Sequence, residues 1–348
     1  MSTYERLVEL PLFVESHWLE VLSQEVSSGF QRVTTVVTLQ GAGARGMGED
    51  TTYEAEAHER ELPTRAAWDL AGRHTVDSFS TLLEALLPAA DVPHSRWAFE
   101  SAALDLALRQ KGVSLAAVLG RSFAPLRFVV STRLGSPPTD EIVVGWSSLY
   151  PELEFKLDPQ SSWSPDLFAS LADLDKVRVL DLKGAYEGTP VDQPFDPVLY
   201  SRVRDAALAA NGRLYIEDPA RTPEAMGVLA GAEHLFSWDA VIHSVDDVLS
   251  LEHRPGALNI KPSRFGSLRR LLDCIDHGAE QEIVMYGGGQ FELGPGRAQI
   301  QALASIFYPS SPNDVAPQGY NVGSPRPGLP RTPLMPASVP SPGLGFVC

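Results

Sequence analysis

The sequence predicts an α/β protein whose larger part, residues 126–320, closes into a (β/α) barrel behind an α+β domain over residues 1–125. Three observations lead there. Seven short apolar or β-branched runs succeed one another, each trailed by a helical stretch: Leu126 to Ser131, Leu153 to Leu157, Val177 to Leu182, Arg213 to Ile216, Leu235 to Trp238, Ala257 to Ile260 and Glu282 to Met285. Alternation of this kind implies parallel strands joined by helices, and repeating it this often implies closure. The first 125 residues lack that alternation and mix one long β-branched run with Ala- and Leu-rich helical segments. Third, an open doubly wound sheet, the other way to use the alternation, typically needs a phosphate loop or a switch-point crevice. The Gly-rich stretch MYGGGQFELGPGR is no GxGxxG between a first strand and its helix, so nothing points to a dinucleotide.

Taken in order, Arg32 to Gln40 (RVTTVVTLQ) has the β-branched density of a strand, and the glycines of Gly41 to Gly48 read as a turn. Ser95 to Leu119 carries Ala and Leu at helical spacing, with Gly112 marking a break between two helical pieces. The seven barrel runs follow. The tail, residues 321–348, is so dense in Pro, Gly and Ser that it forms neither helix nor central strand. An extended strap or a disordered end is expected, with a proline-motif ligand as the other use of such a segment.

With 348 residues, 44% of them hydrophobic, the chain has material for a large core without staples. The formal charge of −16 opposes nucleic acid and anionic membranes, both of which are gripped by clustered Lys and Arg. Cys274 and Cys348 are the two cysteines, which excludes a disulfide framework and a CxxC metal motif. MSTYERLVEL lacks the basic and apolar stretches of a secretory signal, and no apolar run is long enough to span a bilayer. A cytoplasmic protein is expected, and, as is usual for enzymes of this size, a homo-oligomer.

In a barrel, catalytic groups sit where strands open into loops at the C-terminal face. Strand two ends in Lys156, strand three in Asp181, strand four in Glu217, strand five in Asp239 and strand six in Lys261. Carboxylates on three consecutive strands bring oxygens toward one point and leave positions for water and substrate, as Mg²⁺ or Mn²⁺ prefers. A lysine near such an ion and partly desolvated can have its pKa lowered toward neutrality and act as a general base. The chemistry that needs this combination is removal of the weakly acidic α-proton of a carboxylate, with a cation offsetting the charge that builds on the oxygens.

These strand ends, with FESAALDLALRQKGVSLAAVLG, IEDP, WDAVIHSVDDV, LNIKPSRFGSL and GGQFELGPGRAQIQALASIFYPSSPNDVAP in that order, resemble the enolase superfamily, and most closely its muconate lactonizing enzyme branch. The resemblance runs to about residue 320. It implies a (β/α)₇β TIM-like barrel with an N-terminal α+β capping domain that the C-terminal tail completes. It implies Asp181, Glu217 and Asp239 as metal ligands, Lys156 and Lys261 as the acid/base pair, and a small carboxylate substrate. It places loops at His17 to Gly29 and Glu49 to Glu54 over the barrel mouth, and makes Glu100 and Asp105 ties between cap and barrel. The implied outcome is racemisation, epimerisation or cycloisomerisation. Dehydration of the o-succinylbenzoate synthase type, or a non-catalytic, metal-free barrel that binds a ligand or partner, are the alternatives.

Departures from that branch motivate the last of these. Lys-x-Lys on strand two becomes Glu154-Phe155-Lys156, and Asp-x-Asn on strand three becomes Asp181-Leu182-Lys183. The strand-five Asp-Glu becomes Asp239-Ala240, and strand six runs Lys261-Pro262-Ser263-Arg264. Two residues from Asp181 on the same strand face, Lys183 can place its ammonium near the ion and weaken or replace it. A rival alignment makes Lys183 itself the strand-two lysine. Arg264 is suited either to pairing with a nearby acid or to holding substrate, and Glu292 either to orienting substrate or to capping the helix that follows.

Overall fold

The structure is a computed structural model and describes residues 2–26, 31–186, 188–189, 191–321 and 323–348. In the N-terminal part, β1 (Pro11–Val14), β2 (Ser16–Glu25), β3 (Gln31–Gly41), β4 (Ala44–Asp50) and β5 (Gly72–Thr75) make two antiparallel sheets, β2-β3-β4 and β1-β5. Two expectations need correction. The stretch placed as a loop from His17 is strand β2 through Glu25, and Ser27 to Gly29 lie outside the described residues. The turn expected over Gly41 to Gly48 takes only Ala42 and Gly43; Gly41 ends β3, and Gly46 and Gly48 belong to β4. Those glycines answer to packing: a Cβ on Gly46 would lie 2.2 Å from Leu106 N and one on Gly48 2.0 Å from Ala98 O. The helix Pro93–Lys111 thus rests directly on the strand backbone. That helix starts on a proline and ends at Gly112 with φ 73°, the left-handed stop that the sequence marked.

Each predicted barrel run yields one strand with its ends shifted by a few residues: β6 (Val129–Thr132), β7 (Glu154–Leu157), β8 (Val177–Asp181), β9 (Tyr215–Glu217), β10 (Phe236–Trp238), β11 (Ala257–Ile260) and β12 (Val284–Gly287). They form one parallel sheet in sequence order. Asn313 and Asp314 close the ring, bridging Phe128 on one side and Gly288 on the other, with Val129 N donating to Asn313 O and Gly289 N to Asp314 O. The Asn313 side chain fixes that closure by accepting from Gly287 N and donating to the carbonyls of Arg127 and Tyr308. In this eight-position ring β7 stands second and β11 sixth, so residues at their ends meet the mouth from opposite sides.

Period-two alternation assigns the interior. Val179, Tyr215, Ala257 and Tyr286 pack together as a small layer, separate from the main core, on which the mouth residues rest. The intervening residues Phe155, Leu157, Leu180, Ile216, Leu258 and Ile260 join the main core outside the sheet. The tail runs as a strap across both parts: Leu126 and Leu334 exchange backbone hydrogen bonds, Leu115 N donates to Gly343 O, and Phe346 N donates to Ala298 O. Leu334, Leu344 and Phe346 are buried along it. Among the described residues no helix is long and apolar enough to cross a membrane.

Candidate active site

Going two residues up each strand from the interior layer reaches the groups singled out in the sequence. Val179 leads to Asp181, Tyr215 to Glu217, Ser237 to Asp239, and Ala257 through Asn259 to Lys261. Lys156, Asp181, Glu217, Asp239 and Lys261 are all buried, with Asp181, Glu217 and Asp239 fully so. The five therefore converge on one mouth.

Within it they sort into two clusters. In the first, the Lys156 ammonium donates to Glu217 Oε1 and lies 3.2 Å from Asp181 Oδ2 and 3.6 Å from Asp314 Oδ2. The Tyr286 hydroxyl donates to Glu217 Oε2 at 2.5 Å, and Asn259 Nδ2 donates to Oε1 at 3.3 Å. In the second, Asp239 Oδ2 accepts from Lys261 at 2.6 Å and from the Tyr186 hydroxyl at 2.9 Å, and Arg264 Nε stands 3.2 Å from Oδ1. Arg264 also donates to the Tyr186 hydroxyl at 2.8 Å, so of its two suggested uses the structure displays the pairing with an acid.

The carboxylate gathered with Asp181 and Glu217 is Asp218, with ligand atoms of the three lying within 4.8 Å of one another. Asp239 stands outside that group, engaged by Lys261, Arg264 and Tyr186. Asp218 was not singled out in the sequence because alternation turns the residue after an interior Glu217 outward. Its φ of 45° breaks the alternation, and its carboxylate curls over the strand end to accept Asp239 N at 2.9 Å and Ala240 N at 3.0 Å. The signal available was the second acid of Glu217-Asp218-Pro219, where a strand end meets a proline.

Other expected residues fall elsewhere. Lys183 follows strand three, so the rival alignment that put it on strand two fails; its ammonium sits 2.5 Å from Asp181 Oδ2 and 3.4 Å from Asp158 Oδ1. Glu154 does not reach the mouth, being held by Arg178 Nε at 2.7 Å and by Arg127. Glu292 binds Gln290 N at 2.7 Å and Arg297 at 2.9 Å, while the amide that opens the helix Gly296–Phe307 goes to Glu49 at 2.9 Å. Glu49 thus takes the capping task offered to Glu292. Glu100 is bound by Ser80 and Arg96 inside the cap and by the amide of Leu268 in the barrel, and Asp105 by Met47 N and by Leu344 N of the tail.

Electrostatics separate the groups. Burial pushes Glu217 up to about 8, with Asp181, Asp239 and Asp218 adding to it against Lys156. Asp218 is pushed up to about 7 by burial and by Asp239 and Asp181. Burial opposes ionisation of Asp181 too, but Lys183 and Lys156 outweigh it and hold the carboxyl below the usual range; Arg264 and Lys261 do the same for Asp239. At Lys156 two opposing influences meet. Burial does press its pKa down, yet Glu217, Asp181 and Asp314 outweigh burial and raise it well above the ordinary lysine value.

The donor set fits a hard divalent cation. Asp181, Glu217 and Asp218 are buried carboxylates in reach of one point, and burial with the neighbouring acids pushes Glu217 and Asp218 up, so that added positive charge there would favour their ionised, ligating form. Asp314, 3.6 Å from the Lys156 ammonium, also lines a small cleft with Val130, Ser131, Gly289, Phe291 and Arg297.

Comparison with known proteins places this geometry. The family description "Domain of unknown function (DUF8230) C-terminal domain" matches residues 122–322, and its N-terminal counterpart matches residues 5–118. The o-succinylbenzoate synthase of Bacillus subtilis (strain 168) is 28% identical over 232 residues, 62% of this chain and 57% of that enzyme, so the chain spans little more than half the length of this curated relative. Among solved structures, muconate lactonizing enzyme from Pseudomonas fluorescens complexed with muconolactone superposes with a TM-score of 0.70 at 18% identity, covering 97% of this chain and 96% of that one. The 2-chloromuconate cycloisomerase of Rhodococcus opacus gives 0.65 at 15% identity, covering 89% and 88%. At these identities the structural likeness establishes the fold. The neighbours and the curated relative are all enolase-superfamily enzymes, and the resemblance drawn from the strand-end motifs holds.

Proposed function

We propose that this chain, which belongs to the DUF8230 family, is an enzyme that removes the α-proton of a small carboxylate substrate at the barrel mouth. The observation that carries the proposal is the placement of Lys156 and Lys261 at the ends of the second and sixth strands of an eight-position ring, each bound to a buried carboxylate. Two amines reaching one site from opposite sides can take a proton from one face of a carbon and return one to the other, which makes racemisation or epimerisation the leading outcome. Cycloisomerisation uses the same first step.

A divalent ion, Mg²⁺ or Mn²⁺, bound by Asp181, Glu217 and a third carboxylate would supply the positive charge that offsets the charge building on the substrate's oxygens. Asp239 is the third ligand by the strand-end pattern and Asp218 by proximity. While Glu217, Asp181 and Asp314 carry their charge around it, Lys156 keeps its proton, so it serves as a base only when that charge is offset. Lys261 contends with one carboxylate, which it shares with Arg264 and Tyr186.

The curated relative supports dehydration as a second outcome of the same proton removal. Deuterium exchange in D₂O, screened over dipeptides, N-acylamino acids, sugar acids and muconolactone-like acids, tests the proposal. Exchange at the α-carbon that is abolished by Lys156→Ala and by Lys261→Ala is expected. If no acid exchanges, or both variants exchange as before, the proposal fails.

A further inference from the structure

Lys183 stands where an ion on Asp181 would have to compete with it. Its ammonium lies 2.5 Å from Asp181 Oδ2, the oxygen that Lys156 also approaches at 3.2 Å, and its own backbone N–H donates to Asp181 Oδ1 at 3.1 Å. The carboxylate is thus held on both oxygens by one residue. Lys183 adopts φ 53°, a left-handed conformation that disfavours a side-chain-bearing residue, and this turn folds the chain back so that the amide and the ammonium of Lys183 both address Asp181. On its other side the ammonium is 3.4 Å from Asp158 Oδ1, at the end of strand two. Asp158 is buried and otherwise paired with Arg133, whose Nε is 3.3 Å away and whose side chain is half exposed.

Resting on the metal reading above, we infer that Lys183 is a displaceable internal cation: it neutralises Asp181 in the ion-free protein and transfers to Asp158 when a divalent ion takes Asp181. A flexible four-carbon stem with a point charge suits a short move of this kind, which a planar guanidinium with its fixed fork does not. The two seats are already in reach of one ammonium, so the transfer needs a change of side-chain rotamer and no movement of the backbone. The arrangement sets metal affinity through the difference between the two seats. It also gives Asp181 in the apo protein a second cation beside Lys156.

The test is binding of Mn²⁺ alone, read by electron paramagnetic resonance of the free ion and by calorimetry, with no substrate present. Lys183→Met, which removes the competing charge, tightens Mn²⁺ binding by at least about tenfold, the scale of one modest charge contact at a shielded site. Lys183→Arg stays at or below the affinity of the unaltered chain. Asp158→Asn, which removes the second seat, weakens binding by about tenfold when Lys183 is present and has no effect in the Lys183→Met background. Asp181→Asn abolishes binding in every background. Unchanged or weaker binding in Lys183→Met, or an Asp158→Asn effect that persists without Lys183, overturns the inference and leaves the metal reading standing. No saturable binding by any variant overturns both.

Discussion

Glu49 holds the cap against the loop that leads from strand β12 to the next helix, and replacing it is the sharpest test of how the two parts of the molecule cohere. The residue lies at the end of β4 and is 1% exposed. Its carboxylate accepts Leu293 N at 2.6 Å, Gly294 N at 3.0 Å on either oxygen, and Gly296 N at 2.9 Å. Gly296 begins the helix Gly296–Phe307, so the carboxylate also sits at the positive end of that helix's dipole. A Cβ on Gly294 or Gly296 would come within 3.2 or 2.9 Å of Glu49 Oε2, which is why the amides can approach so closely. Glu49→Ala leaves these three amide donors without their acceptor. At about 1–3 kcal/mol for each buried donor left unsatisfied, and with water entering part of the vacated space, the expected loss is at least about 3 kcal/mol. Glu49→Gln keeps one oxygen but turns an NH₂ toward an amide, for roughly half that loss. Urea unfolding followed by circular dichroism measures both, and hydrogen exchange at 293, 294 and 296 reports the loop directly. A loss below about 1 kcal/mol for Glu49→Ala, or a larger one for Glu49→Gln, would show that the latch is not where the stability lies.

The remaining predictions concern the mouth and the strap. Gly288→Ala puts a methyl 2.1 Å from Asn259 Oδ1 and 2.7 Å from Lys261 Cε. It should displace the Lys261 amine and cut kcat/KM by about 10²-fold while far-UV circular dichroism is unchanged, and full activity would refute the role of Lys261. Comparing Asp218→Asn with Asp239→Asn in Mn²⁺ binding identifies the third ligand, since only the variant that removes it should weaken affinity by more than about tenfold. Burial, helped by Arg264, Arg32 and His243 against Asp50, pushes the His94 imidazole down to about 3. A depressed folded-state pKa contributes stability that is present above the unfolded value near 6.5 and lost as pH falls toward 3. His94→Asn should therefore flatten part of the acid side of the stability curve, by about 2–3 kcal/mol between pH 6.5 and 4, and an unchanged slope counts against it. Leu344→Ala, at a strap position with no exposed surface, should cost about 2–5 kcal/mol by thermal melting, against near zero if the strap is dispensable.

Much of the mouth was legible because a strand has period two and a barrel has a fixed working face. Lys156, Asp181, Glu217, Asp239 and Lys261 could be picked from strand ends, and all five meet at one opening. Less legible were residues whose backbone departs from the regular path. Asp218 and Lys183 both take a left-handed conformation just past a strand, and each brings a charged group to Asp239 or Asp181 that regular alternation would not predict in detail. Tyr186 and Tyr286 are phenols whose donation to Asp239 and Glu217 becomes visible only once the loop and the interior layer are folded. The His17 segment was misplaced for another reason: its alternating polar and apolar residues are those of an edge strand with one wet face, which resembles a loop in composition.

By itself the sequence determined the parallel barrel, the order of its strands and the identity of the charged groups at their ends, because each of these follows from local periodicity and from where apolar runs stop. Tertiary structure decided which charges touch. Proximity across the ring put Lys156 between Glu217, Asp181 and Asp314, which raise its pKa, and it left Asp239 to Lys261 and Arg264 while Asp218 joined the carboxylate group. Ionisation depends on every charge within a few ångströms in three dimensions, and strand spacing along a chain does not encode those distances.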